Sequence, residues 1–223
     1  MKKLTLPLSL AAAMATILGG CVEIPQGNKR QPVRQSTAVF TPRPEARQCL
    51  AELGATRAAF SPVPDQYFGA GCSTINSVRL ASLRSDNAPL GLTNLGPVTC
   101  PMANAFAGWA RFGADRAARQ ILGSPLVRIE TMGSYSCRNV AGSGRRSAHA
   151  TANAIDIAAF VLADGRRISV LADWSQGTPA ERQFLRVVHE SGCKRFGTVL
   201  GPAYNADHAD HLHVELGGGG FCR

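Results

Sequence analysis

The sequence predicts an α+β domain in which helices back a mostly antiparallel sheet. Two strong helical patterns stand among short strand-like runs, and two of those runs are joined by the turn pair Asp164-Gly165, which suits a hairpin. The order of these elements, with no internal repeat, sets the class.

Taken in order, residues 22–44 are rich in proline and basic residues and poor in large apolar ones, as a tether is. Ala46 to Gly54 reads as a short helix carrying Cys49. Phe60 to Asp65 holds two prolines and reads as irregular, and Thr74 to Leu83 reads as a strand. Pro101 to Leu122 is the clearest helix. Pro101 suits a first helical position, Met102, Phe106, Trp109 and Phe112 form a stripe that packs into a core, and Gly123 with Pro125 ends it. Leu126 to Met132, Ala154 to Leu162 and Arg167 to Leu171 read as strands. Thr178-Pro-Ala-Glu181 is a capping box that opens a helix running to about Ser191. Phe196 to Leu200 and His211 to Leu216 are the last strands. His189 reads as structural.

The chain has 223 residues, enough for one domain with appendages. Its start has the features of an export signal: Lys2-Lys3, an apolar run from Leu4 to Leu18, then Leu18-Gly19-Gly20-Cys21. That ending resembles the lipobox of bacterial lipoproteins, which implies cleavage before Cys21, lipidation of Cys21 and membrane anchoring through the lipid. The domains expected are therefore a signal peptide (1–20), a lipidated Cys with a flexible tether (21–45) and a folded domain (46–223). The expected place is the cell envelope, on the periplasmic face of the outer membrane. Losing Lys2 and Lys3 with the signal lowers the net charge from +9 to +7. So basic a chain suits a polyanionic envelope partner: lipopolysaccharide, anionic lipid or cell-wall polymer. Nucleic acid is excluded as a partner by export and by the lack of any nucleic-acid motif.

Seven cysteines less Cys21 leave Cys49, Cys72, Cys100, Cys137, Cys193 and Cys222, an even set that predicts three disulfides in an exported protein. Pairing between neighbours in sequence is expected, with Cys100 to Cys137 favoured because a strand doubling back along the long helix returns to its start. Cys193 and Cys222 would close the C-terminus onto the domain. No Cys-x-x-Cys pair suggests a thiolate metal site.

Two stretches carry the chemistry: Ser147-Ala-His-Ala-Thr-Ala-Asn-Ala-Ile-Asp156 and Asp210-His-Leu-His213. His149 and Asp156 are too far apart for one helical turn, so a loop entering a strand must bring them together. His211 and His213, two apart on a strand, share a face. Two histidines and a carboxylate can hold zinc with a fourth position open to water.

Ser147-x-His149-x-x-Ala152-x-Ala154-x-Asp156 resembles the first motif of zinc D-Ala-D-Ala peptidases, in the group with lysostaphin-like and hedgehog domains. His149-Ala-Thr-Ala-Asn-Ala-Ile-Asp156, Phe196-Gly-Thr-Val-Leu-Gly-Pro202 and His208-Ala-Asp-His-Leu-His213 resemble more closely the bacterial extensin-like C-terminal domain family, over about residues 46–223. The resemblance implies a hedgehog/D-Ala-D-Ala-peptidase-like zinc domain with His149, Asp156 and His213 on Zn2+. It implies Asp210 as general base, with His211 sharing that task or holding the oxyanion, and Arg138 beside the scissile carbonyl. Arg138 also reads as a plain surface arginine next to a disulfide, and His208 is a surplus histidine. Ala152 departs from the glycine of many relatives: its methyl either narrows the loop or fits another backbone conformation. The implied function is hydrolysis of peptide bonds, D-amino-acid bonds favoured, in peptidoglycan. The alternative is a zinc-stabilised cell-wall binding lipoprotein without turnover.

Overall fold

The computed structural model describes residues 43–217 and 219–223. The leader, Cys21 and nearly all of the expected tether lie outside the described residues. Helix α1 (Pro44–Ala55) begins with proline at its first turn and buries Cys49 and Leu53. Five short strands and a longer one follow: β1 (Ala59–Pro62), β2 (Tyr67–Gly69), β3 (Cys72–Ser73), β4 (Ser77–Arg84), β5 (Pro89–Thr93) and β6 (Val98–Thr99). The stretch expected to be irregular, Phe60–Asp65, thus holds most of β1. This strand lies at the sheet edge, where the missing N–H of Pro62 is tolerated.

Helix α2 (Cys100–Trp109) has Thr99 as its N-cap and continues through wider π turns at Ala110–Asp115 and Ala118–Leu122. The helical backbone therefore covers the expected Pro101–Leu122, and Gly123 ends it in the left-handed conformation. The wider turns shift the phase of the stripe. Met102, Phe106 and Trp109 are buried, but Phe112 stands half-exposed between the guanidinium groups of Arg111 and Arg116, at 5.0 and 4.7 Å, which corrects its assignment to the core.

The remaining elements are β7 (Leu126–Gly133), a 3-10 turn (Ala148–Thr151), β8 (Ala154–Leu162), β9 (Arg167–Ser169), α3 (Val170–Gln176), α4 (Pro179–Cys193), β10 (Thr198–Leu200), a 3-10 turn (Ala206–His208), β11 (Leu212–Glu215) and β12 (Phe221–Cys222). The expected strand Arg167–Leu171 is cut short. Ser169 caps a new helix by accepting from the Ala172 amide, and its own amide donates to Asp173, which turns the apolar Val170-Leu171 pair into helix α3. The capping box of α4 forms as expected, with Thr178 and Glu181 bonded to each other's amides.

One mixed sheet runs in the order β1-β4-β5-β7-β8-β11-β10-β12, with β6 beside β4 and β9 beside β8. Among the described residues only β5–β7 and β10–β12 are parallel. The fold is α+β. Its core lies between this sheet and the helices, centred on Trp109, which packs on Phe106, Phe160 and Phe196 and donates its indole N–H to the Val188 carbonyl of α4.

Strand β8 matters most for the site. Ile155 and Ile157 face the core, and so do Phe160 and Leu162, a change of parity that plain alternation forbids. The register with β7 supplies the reason: Glu130 and Thr131, adjacent on β7, pair with Ala159 and Ile157, so Ala158 is one extra residue. This bulge lets both halves of the strand feed the core while Asp156 points to the other side.

Three disulfides form: Cys49–Cys100, Cys72–Cys137 and Cys193–Cys222. The favoured Cys100–Cys137 pairing is corrected. The start of α2 packs against α1, where Asn104 also donates to the Cys49 carbonyl, and Cys137 is met instead by the β2–β3 hairpin. Nearness in sequence misled because elements far along the chain come closer in space.

Candidate metal centre

Each ligand is placed by backbone geometry. Asp156 on β8 and His213 on β11 are direct partners across an antiparallel ladder, and neighbours Ile155, Ile157, Leu212 and Val214 are buried. His149 arrives on the 3-10 turn before β8, whose first amide is capped by Ser147. Ala152 ends that turn at φ 55°, ψ 27°, in the left-handed region. Glycine adopts this conformation without penalty, whereas Ala152 holds it with a Cβ. Ala152 is fully buried and its carbonyl accepts from the Thr99 amide. Ala152→Val, β-branched in that conformation and crowded, is expected to cost about 3 kcal/mol, measured by denaturant titration.

Asn153 fastens the turn to its surroundings. Its side-chain amide donates to the Leu216 carbonyl just past β11, and its oxygen accepts from the Thr99 hydroxyl at the start of α2.

His149 Nε2, His213 Nδ1 and the Asp156 carboxylate form a triangle with edges of 3.1, 3.1 and 2.9 Å. Both imidazoles are almost wholly buried. The protons can be assigned from the other ring nitrogens. His149 Nδ1 lies 2.8 Å from the Ser134 carbonyl, which only accepts, so Nδ1 carries the hydrogen and Nε2 presents a lone pair. His213 Nε2 donates to Glu215 at 3.3 Å, which leaves Nδ1 bare in the neutral ring. With His213 neutral, three electron-rich atoms converge in a buried place that suits a cation, and the outer bonds to Ser134 and Glu215 have the geometry that orients metal-ligating histidines.

Without a metal, a proton on His213 balances the Asp156 charge. Burial alone would raise the Asp156 pKa, yet the facing imidazoles hold it well below the carboxylate range. Burial would lower that of His213, but the Asp156 and Glu215 carboxylates outweigh it and raise it to about 9. A group whose pKa rises on folding lends stability below its unfolded value of 6.5 and loses it as pH climbs through about 9. Protein stripped of metal is thus expected to melt several degrees lower at pH 9.5 than at pH about 6. Metal-loaded protein should show the opposite trend, since protons compete with metal for the same nitrogens.

The other residues singled out by the sequence lie around this triangle. His211 precedes β11, and its Nε2 comes within 3.6 Å of Asp156, while its Nδ1 is 2.8 Å from Asp210. Asp210 is thus one imidazole removed from the triangle. The His208 ring sits 5.0 Å from His211 and 6.0 Å from His213, with its pKa lowered to about 4 by burial and then by those two rings. Arg138 is exposed and donates to the Asn139 carbonyl at 3.4 Å. His189 donates to the Arg223 carbonyl. Its grouping with Cys193 and Cys222 is closed to metal by their disulfide.

Glu215 and the Ser134 carbonyl are further site members. Glu215 follows His213 by two on a strand and so shares its face, a spacing visible in the sequence. A backbone carbonyl has no such signature. Glu215→Gln is expected to weaken metal affinity by about 10- to 100-fold without unfolding the domain, read by competition with a chromophoric chelator.

The sequence profile described as "Extensin-like protein C-terminus" matches residues 47–223, from α1 to the last residue. The chain belongs to this family. No curated protein and no solved structure matches it significantly. All three triangle residues and all three disulfides of the extensin-like domain fall inside the matched span.

Proposed function

We propose that the extensin-like domain is a zinc hydrolase acting on peptide bonds of peptidoglycan stem peptides, D-amino-acid bonds among them. The observation that carries this reading is the convergence of the donor atoms of His149, Asp156 and His213, with a third imidazole, His211, turned toward them. Two imidazoles and a carboxylate match zinc's ligand preference, and edges of 2.9 to 3.1 Å are near the roughly 3.3 Å that separates donors around a tetrahedral zinc. Zinc held by His149, Asp156 and His213 would supply Lewis acidity toward a substrate carbonyl and an attacking water.

The proton chemistry belongs to the chain. Asp210 accepts the Nδ1–H of His211, which fixes the tautomer and leaves Nε2 free as a base on the side of the triangle. His211 then takes the proton from the attacking water and returns it to the leaving amine. Asp210 acts through His211 as a positioning group. His208, kept neutral beside it, adds no competing positive charge. Arg138, on the loop after Ser134, is assigned to the developing oxyanion; reaching it requires the side chain to swing in from solvent.

The lipobox-like ending at Cys21 supports lipid anchoring at an envelope membrane, and the basic charge suits an anionic wall polymer. The deciding experiment is digestion of purified peptidoglycan by zinc-loaded protein, with released fragments read by mass spectrometry. His211→Ala is expected to lower the rate by about 10²- to 10⁴-fold at full zinc content, and Asp210→Ala by less. Absence of fragments from fully loaded parent protein would give the ground to a zinc-stabilised binding lipoprotein.

A further inference from the structure

Phe106, Trp109, Phe160, Phe184 and Phe196 are buried in the core, whereas two aromatic pairs reach the surface beside the metal triangle. Phe68 on β2 is 53% exposed and packs at 5.5 Å on Tyr135, the residue after the Ser134 carbonyl that holds His149. Tyr204 and Phe221, 44% and 45% exposed, meet edge to face at 5.5 Å. Tyr204 also lies 5.5 Å from His208, whose ring neighbours His211 and His213. One pair is therefore attached to the His149 side of the centre and the other to the His213 side.

The first pair is held firmly in its exposed position. The Cys72–Cys137 disulfide ties the β2–β3 hairpin to the loop that follows Tyr135. Arg146 donates to the Ala70 carbonyl at the hairpin tip and to Asn139 within that loop. Keeping a phenyl ring in water on so well-braced a mount forfeits apolar burial, which favours a ligand that covers it. The ligand must offer a flat apolar face with a polar rim. A pyranose ring does so, since its C–H bonds pack on an aromatic face while its hydroxyls stay in water. A short free peptide would have no rings for platforms on both sides of the centre, whereas a glycan strand bearing the peptide does. Arg138 and Arg145, exposed on the same loop, complement the carboxylates of such a polymer.

We propose that Phe68 with Tyr135, and Tyr204 with Phe221, are stacking platforms for the sugar rings of the glycan strand whose stem peptide reaches the metal centre. This rests on the peptidoglycan reading for its polymer, but not on hydrolysis. The test uses zinc-loaded full-length protein and two probes: peptide-free strands of alternating N-acetylglucosamine and N-acetylmuramic acid, and the stem peptide without sugar. Phe68→Leu and Tyr204→Leu keep apolar bulk and lose the flat ring. Each is expected to weaken glycan-strand binding about tenfold, equivalent to about 1.4 kcal/mol, with zinc content, melting temperature and stem-peptide binding unchanged, and Tyr204→Trp is expected to restore it. Equal binding of parent and both variants, or no binding of the strands by the parent, overturns the proposal. Should the parent fail to cleave stem peptide yet bind strands through these rings, hydrolysis falls and the platforms stand.

Discussion

His213→Ala is expected to empty the metal centre and take hydrolysis to background. Binding of a structural zinc by four ligands is worth about 10–16 kcal/mol, so one ligand accounts for about 2.5–4 kcal/mol, or roughly 10²- to 10³-fold in affinity. The loss reaches further than the missing nitrogen. His213 lies between the Asp156 and Glu215 carboxylates, and its removal leaves the largely buried Asp156 with His149 at 3.1 Å and the more distant His211 at 3.6 Å. Asp156→Asn keeps the shape and removes the charge. Both variants should lose metal on dialysis, measured by plasma emission, and both should lower the melting temperature of the stripped protein at pH about 6, because each breaks the Asp156–His213 pair.

The second large effect concerns stability. Replacing both Cys49 and Cys100 by serine is expected to cost about 4 kcal/mol for a closed span of 51 residues. Denaturant titration under non-reducing conditions measures it. Peptide mapping of the parent should find Cys49 joined to Cys100 and Cys72 to Cys137. A Cys100–Cys137 peptide would overturn the packing of α1 against the start of α2.

The His149–Asp156–His213 cluster was legible because its constraints are local. His149 and Asp156 flank one turn, and the residues around Asp156 and His213 are strand-formers that fix which way each side chain points. The capping box of α4 and the Gly123 stop were legible for the same reason. What escaped depends on distant packing or on backbone. Strand β5 carries Pro89 and Gly91 and is a strand only because β4 and β7 hold it from either side. Val170-Leu171 reads as strand until the reciprocal Ser169–Asp173 cap is considered. Phe112 follows a helical period that the π turns alter, and the cysteine partners of Cys100 and Cys137 are set by chain segments about fifty residues or more away.

The fastening of the His149 turn by Asn153 has a consequence for the order in which the molecule assembles. The Asn153 amide is completed by Leu216, and Asp156 meets His213 across 57 residues. A chain that emerges N-terminus first therefore exposes two ligands long before the third exists, and β11 must slot between β8 and β10 before the triangle closes. On the zinc reading, tight metal capture becomes the last event of folding, because a half-made chain offers only two of the three donors and the third arrives with the C-terminal strands.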